Sequence, residues 1–412
     1  MSGAPGRILI VNALYPPRVL GGAERSVQFL AEALAAGGSR VTVVTTTPEE
    51  KASVDELHGV RVHALPVANL YWPFGAKGRH STALFHALDI CNFKMQARVG
   101  AVLDAVRPDL VHTNTLVGFS VAVWRAARAR GIPVIHTLRD FYLLCPNSKM
   151  FRAGQNCSSP CFACALYNAP KRALSRLVSG VVGNSQFMLD AHLANGFFPR
   201  ATLRTVIHNA YPLAGAPAAA AAEKSGPFRL GYLGRLDEYK GVGVLLDAVA
   251  RLPAGQVEVL LAGQGEPAYE AALRRRHPGP HIRFLGFIQP EELFAQIDAL
   301  AVPSLWHEPL PRTVFEAYAH GLPVLASNRG GLPELVDEGR TGWMFDPAQP
   351  EALPELLRRT TADKTKVRAL RAACLEKARF FRPEVIAQKY RLAYEAVLEK
   401  ADETGDCGRH QR

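Results

Sequence analysis

Short apolar runs rich in Val, Ile and Leu alternate along this chain with longer stretches whose apolar positions recur at helical spacing. An unbroken apolar run of about four to eight residues reads as a strand covered on both faces, and the spaced pattern reads as amphipathic helix. In the first half the strand candidates are "RILIVNAL", "RVTVVTT", "LVHTNT", "PVIHTL", "GVVGNS" and "TVIHNA". In the second half they are "FRLGYLG", "VEVLLAG", "IRFLGF", "ALAVPS" and "PVLASN". Strands that alternate with helices predict α/β architecture with a parallel sheet in each half. Between the halves, "YPLAGAPAAAAAEKSGP" at 211–227 is rich in Ala, Gly and Pro and has no strand pattern, so it reads as a linker. The expected organisation is therefore two doubly wound domains, 1–210 and 228–380. A helix over 381–400 and a polar tail over 401–412 follow.

Length supports that division, because 412 residues exceed one ordinary core and suit two domains of roughly 200 each. A hydrophobic fraction of 48% allows substantial cores. No apolar run approaches the roughly 20 residues of a membrane span, and the first residues enter a strand-like run without a signal-peptide pattern. A cytoplasmic protein is expected, with a peripheral position on the inner membrane face compatible with its charge. That charge is formally +11 and includes "RAARAR", "KRALSR" and "RRRH". Such groups suit phosphorylated substrates, an anionic membrane surface or solvated helix faces. No zinc finger, RNA-binding signature or long basic tail accompanies them, so no nucleic-acid partner is expected.

Ligands of doubly wound sheets gather at the carboxyl ends of the strands, and the unusual residues fall there. After the first strand, Gly21 and Gly22 open a helix whose N-terminus can face an anion. "LGRLDEYKG" places Arg235 and Lys240 around a turn, where a planar fork and a point charge can neutralise a diphosphate. "LLAGQGEP" places Gly263 for a close backbone approach. In "HEPLPRTVFEAYAHGLPVL", Pro311 suits the first helical turn and Gly321 with Pro323 stops a helix of about 311–320. The free amides of Arg312 and Thr313 would face a phosphate, with Glu308 before the helix and Glu316 inside it to accept hydroxyl hydrogen bonds. Singly, each pattern also fits an ordinary glycine turn or charged loop; together they suit a nucleotide sugar.

The order "GGAER", "VIHNAY", "GRLDEYKG", "AGQGE", "EPLPRTVFE" and "GGLPELV" resembles the retaining glycosyltransferases of family 4, which have the GT-B architecture. The resemblance runs from about residue 8 to 395, and its most specific element is the glutamate pair with seven residues between. It implies two Rossmann-like domains facing a cleft, the first binding the acceptor and the second the donor. Arg235 and Lys240 would then hold the diphosphate and act in catalysis. Glu316 would hold the ribose and Glu308 the donor sugar, also with a catalytic part. Gly21 and Gly22 would border the phosphates, and the last helix would cross back onto the first domain. The sequence contains no Asp-x-Asp pair, which agrees with cationic side chains in place of a divalent metal. The implied route is front-face, with no covalent nucleophile and no cofactor required for catalysis. A UDP-, GDP- or ADP-sugar is the expected donor. A lipid-linked or growing glycan of bacterial surface-polysaccharide synthesis is the expected acceptor, and aromatic and basic loops at 69–80 and 111–120 suit it at an anionic membrane surface.

Two positions depart from the family. Arg139 and Asp140 follow "PVIHTL" where many relatives carry a histidine, so Arg139 keeps a donor contact but not the histidine's proton chemistry. His136, inside the strand, reads as a structural histidine. Pro311 replaces a common glycine and removes one amide. A nucleotide-sugar epimerase and a catalytically silent sugar-nucleotide-binding subunit are the competing functions. Separately, Cys145, Cys157, Cys161 and Cys164 stand at intervals of eleven, three and two residues. Four thiols suffice for tetrahedral zinc or an iron–sulfur cluster, and unligated thiols are the other reading.

Overall fold

The strands form where the apolar runs lie, because a parallel sheet covered by helices has no wet face. A computed structural model describes residues 6–75, 82–213 and 226–403. Its strands are β1 (Arg7–Val11), β2 (Arg40–Thr47), β3 (Ser53–Leu57), β4 (Val60–Pro66), β5 (Leu110–Thr113), β6 (Val134–Leu138), β7 (Phe151–Arg152) and β8 (Gln155–Asn156). They continue with β9 (Gly180–Gly183), β10 (Leu203–Val206), β11 (Phe228–Leu233), β12 (Val257–Ala262), β13 (Ile282–Gly286), β14 (Ala299–Val302), β15 (Val324–Ser327) and β16 (Gly342–Phe345).

The chain divides into two units. The first comprises 1–150, 158–210 and 383–412, and the second comprises 151–157 and 211–382.

In the first unit the strand order is β10-β9-β6-β5-β1-β2-β4-β3, parallel throughout except for the β3–β4 edge pair. The register sets Ile10 beside Val43 and Ile8 beside Leu110. Helix Gly22–Ala36 turns Val27, Leu30, Ala31 and Leu34 into a core that also contains Ile386, Tyr390, Tyr394 and Val397 of helix Pro383–Glu403. Gly180 permits that packing, since a Cβ there would lie 2.8 Å from Val397 Cγ2. Tyr394 and Tyr390 reach polar partners inside, with the Tyr394 hydroxyl 2.8 Å from His112 Nδ1 and the Tyr390 hydroxyl 3.1 Å from Thr137 Oγ1.

In the second unit the order is β13-β12-β11-β14-β15-β16, all parallel. The order reverses between β11 and β14, so their carboxyl ends border the crevice where such sheets receive ligands. The hairpin β7–β8 also belongs to this unit.

The structure corrects several sequence expectations. "TVIHNA" forms a strand only as far as Val206, because β10 is an edge strand of Leu203–Val206. β3, β4 and β16 lack an unbroken apolar run: β3 is mostly exposed, β4 alternates, and Trp343 and Met344 of β16 are only half-buried. The hairpin moves 151–157 out of the first domain, and the last helix extends to Glu403, three residues into the expected tail. Of the expected linker, 214–225 lie outside the described residues, as do 76–81 of the aromatic loop region and 404–412 of the tail. Among the described residues no helix is long and apolar enough to cross a membrane.

Candidate active site

Three loops at the carboxyl ends of β11, β12 and β14 build the site in the second unit. Gly263 after β12 adopts φ +130°, and a Cβ there would lie 1.9 Å from the Gly234 carbonyl oxygen. That glycine serves the crossing of two loop backbones. Beyond it, Leu236 N–H donates to the Gln264 carbonyl at 3.1 Å, which carries the pairing past the strand ends.

Arg235 stands largely exposed, with Nε 2.8 Å from Asp237 Oδ2, and that hydrogen bond raises its already high pKa. Asp237 also accepts the Tyr239 hydroxyl at 2.6 Å. The turn Glu238–Lys240 ends at Gly241, whose φ of +75° and contact with Pro303 exclude a side chain, since a Cβ would lie 1.9 Å from the Pro303 carbonyl oxygen. This close approach brings the β11 loop against the β14 loop. Lys240 Nζ consequently donates to Glu308 Oε1 at 2.7 Å, and the Ser304 hydroxyl donates to the same oxygen at 2.6 Å. Glu308 is 4% exposed, so its charge is offset by a fixed ammonium rather than by bulk water. Lys240 Nζ also lies 5.1 Å from the centre of the Trp306 ring.

After Glu308 the chain starts helix Arg312–Ala319. Pro311 is the residue preceding that helix, with φ −73° and ψ 124°, and not its first helical residue as the sequence suggested. Its missing N–H is therefore outside the first turn, where the amides of Arg312 and Thr313 have no intrahelical acceptor. Glu316 is buried, and its Oε1 lies 2.5 Å from Arg312 Nη2. Arg312 Nη1 is buried with no hydrogen-bond partner among the described residues. The site thus contains Arg235, Lys240, Arg312 and the helix start as positive elements, with both glutamates inside it. Each glutamate is paired with a cation and not presented freely to hydroxyls, as the sequence had suggested.

The loop after β15 supports this arrangement and had no role assigned from sequence. Gly331 N–H donates to the Glu308 carbonyl at 2.8 Å, and Gly330 N–H donates to His307 Nδ1 at 3.1 Å. Burial, followed by Arg329, lowers the His307 pKa, so the ring is held neutral to accept that bond. Ser304, Asp237, Tyr239, Trp306 and His307 were likewise missed. Their only sequence signal was position after a strand.

In the first unit, Gly21 caps helix Gly22–Ala36, and its N–H donates to Glu24 Oε2 at 2.9 Å. The Gly21 amide is thus engaged by its own helix in this structure, while Gly22 is the first residue of that helix. Arg139 follows β6 and is 8% exposed, with Nε donating to Asn114 Oδ1 at 2.7 Å and Nη1 to Asn209 Oδ1 at 2.5 Å. Burial lowers its pKa. Two of its nitrogens hold asparagines of its own unit, a structural duty that the expectation of a donor contact did not include. His136 is a satisfied interior histidine, 2.9 Å from Thr113 Oγ1, and burial pushes it down to about 3. Lys171 of "KRALSR" is fully buried and not part of a solvated basic face. Its Nζ lies over the rings of Tyr142 and Tyr167, and burial drives its pKa well down. Nearby, Asp89 accepts the Tyr142 hydroxyl at 2.8 Å, and burial pushes it up to about 7.

Among the described residues, no group of three or more His, Cys, Asp or Glu side chains is arranged to hold a metal ion. The expected tetrahedral set of Cys145, Cys157, Cys161 and Cys164 is not among such groups. Cys157 belongs with the hairpin to the second unit, whereas the other three belong to the first. Cys161 precedes helix Phe162–Leu174 and is exposed, while Cys145 is buried. Burial, then hydrogen bonding with Cys161 and Cys145, pushes the Cys164 thiol up to about 12.

Comparison with known proteins agrees with this geometry. Residues 21–210 match the family described as glycosyl transferase 4-like domain, and residues 227–363 match glycosyl transferases group 1. An uncharacterized 42.6 kDa protein in the cps region of Klebsiella pneumoniae is 34% identical over 80% of this chain and 87% of its own. A glycogen synthase of Mycobacterium tuberculosis is 31% identical over 87% of this chain and 86% of its own. The crystal structure of Anabaena Alr3699/HepE in complex with UDP is 22% identical, covers 95% of this chain and all of its own (100%), and superposes with a TM-score of 0.71. Two Rossmann-like units, the loop chemistry of the second, and these similarities converge: the chain belongs to the group 1 glycosyltransferases of family-4 type, with the GT-B fold.

Proposed function

We propose that this glycosyltransferase moves a sugar, with retention of anomeric configuration and without a divalent metal, from a UDP-, GDP- or ADP-sugar to a hydroxyl of a lipid-linked or growing glycan. The observation that carries the reading is the part-buried Lys240–Glu308 pair where the β11 and β14 loops meet, with Arg235 on the same β11 loop. Breaking a sugar–phosphate bond builds negative charge on the departing diphosphate, and prearranged cations stabilise that charge most. Lys240 and Arg235 supply them. When a diphosphate takes Lys240, Glu308 is released toward the donor sugar. Glu316, beside the helix start, accepts the ribose hydroxyls, and the Arg312 and Thr313 amides meet a phosphate. The UDP complex of a fold relative supports a nucleotide donor, and the cps-region relative supports a surface-glycan acceptor.

A thermal-shift screen with UDP-, GDP- and ADP-sugars tests the donor, since a ligand of the native state raises its stability. Turnover in EDTA and the anomeric configuration of the product by NMR test the rest. Inverted product, or turnover abolished by EDTA and restored by a metal, sinks the corresponding part. Donor binding with neither transfer nor hydrolysis across a broad acceptor panel would instead indicate a silent binding subunit. Interconversion of the sugar nucleotide without acceptor would indicate an epimerase.

A further inference from the structure

We propose that Asn156, at the end of the β7–β8 hairpin, is a positioning residue that sets the loop bearing Glu308 and thereby holds Lys240 in register for the donor. This rests on the donor-binding reading of those two residues. The hairpin is minimal, two residues per strand, turned by Ala153 and Gly154 at φ +49° and +76°, the two positive values of a type I′ turn. A two-stranded piece of this size has little stability of its own. Its order comes from its contacts within the second unit.

Asn156 Nδ2 donates to the Leu305 carbonyl at 2.7 Å, and Asn156 Oδ1 accepts the His307 N–H at 2.8 Å. Both ends of one side-chain amide therefore grip the backbone on either side of Trp306. On the same loop, Leu305 N–H and Trp306 N–H donate to the Tyr239 carbonyl at 2.9 and 3.3 Å. Phe151 of the hairpin lies 6.3 Å from the Tyr239 ring, and Tyr239 packs edge-on against Trp306 at 5.6 Å. The segment 305–307 is thus held by the hairpin and by the backbone of the residue preceding Lys240. Glu308 follows immediately. A loop fixed by several directed hydrogen bonds keeps reacting groups within a fraction of an ångström, and misplacement by about 1 Å can cost on the order of a hundredfold in rate.

The test uses the full chain with Asn156→Ala, Asn156→Asp and, as a control on the same hairpin, Gln155→Ala. Asn156→Ala is expected to speed hydrogen exchange in the peptide spanning 303–310 about tenfold. It should lower kcat about tenfold while leaving the affinity for UDP, GDP or ADP, whichever binds, within about threefold, because Arg235 and the helix start remain. Asn156→Asp retains the acceptor for His307 N–H, so its exchange and kcat should lie between those of Asn156→Ala and the parent. Gln155→Ala should match the parent. Unchanged exchange at 303–310, or an unchanged kcat in Asn156→Ala, overturns the proposal, as does equal impairment by Gln155→Ala. If Asn156→Ala does not fold, Asn156→Asp decides by the same two readouts. A parent protein that binds none of the three nucleotides refutes the donor reading alone, since the exchange result still reports on the clamp.

Discussion

Replacing Lys240 by Met separates the two things its ammonium does. In the structure Lys240 neutralises Glu308, whose side chain is 5% exposed, while its own side chain is 23% exposed. At 2.7 Å the gross attraction is about 6 kcal/mol for an effective dielectric near 20. Desolvation offsets much of it, and breaking a buried pair by removing one partner typically costs about 3–5 kcal/mol. Lys240 retains some hydration and Glu308 retains the Ser304 hydroxyl, so the loss falls at or just below that range, about 2–3 kcal/mol. For a unit of this size that corresponds to a Tm drop of roughly 4–12 °C. Adding Glu308→Gln removes the stranded charge, keeps an acceptor for Ser304, and should recover most of that drop. Turnover should behave differently. Loss of a charge-stabilising donor costs on the order of 10²–10³ in kcat, and the double variant should remain as slow as Lys240→Met. Differential scanning fluorimetry and donor-hydrolysis kinetics on the four proteins give the cycle. Near-normal turnover by folded Lys240→Met would refute the leaving-group role, and no thermal recovery in the double variant would refute the electrostatic argument for the pair.

Three further outcomes follow from particular residues. Glu316→Ala should weaken nucleoside diphosphate binding at least tenfold by calorimetry, whereas Pro311→Gly should change it by less than about threefold, because Pro311 precedes the helix and donates no amide to it. Gly263→Ala would force a Cβ to within 1.9 Å of a backbone oxygen at φ +130°, costing roughly 3 kcal/mol or more; a Tm within 2 °C of the parent would contradict this. His136 and His192 are held neutral by burial, to about 3 and about 4. Their folded values lie below the unfolded 6.5, so the unfolded chain binds more protons and stability falls as pH drops below about 6.5, by about 2–3 kcal/mol per histidine at pH 4.5. Urea midpoints between pH 7 and 4.5 should show that slope, and His192→Gln should flatten it.

What the sequence by itself determined was the layout that local patterning controls. Most of the parallel strands announced themselves as unbroken apolar runs, whereas the parallel strands β4 and β16, which lack one, did not, and the helix after Glu308 was legible from Pro311, Gly321 and Pro323. The glutamates and the Arg–Lys pair were legible because strand ends collect ligand chemistry. Pairings across sequence distance were not legible. Lys240 meets Glu308 sixty-eight positions away, and Asn156 meets Leu305 and His307 about 150 positions away. No local pattern records such contacts, which depend on how loops from β11, β14 and the hairpin converge. Burial likewise was decided in three dimensions. Lys171 and Arg139 read as surface or ligand-facing cations, yet aromatic rings and asparagine oxygens within the first unit meet their polar ends. The cysteine spacing admitted a metal, and spacing along the chain does not set the geometry of side chains: among the described residues no such group is arranged to hold one. Sequence named the charged groups of the candidate site by type and order, and tertiary structure decided how they are paired and what holds them still.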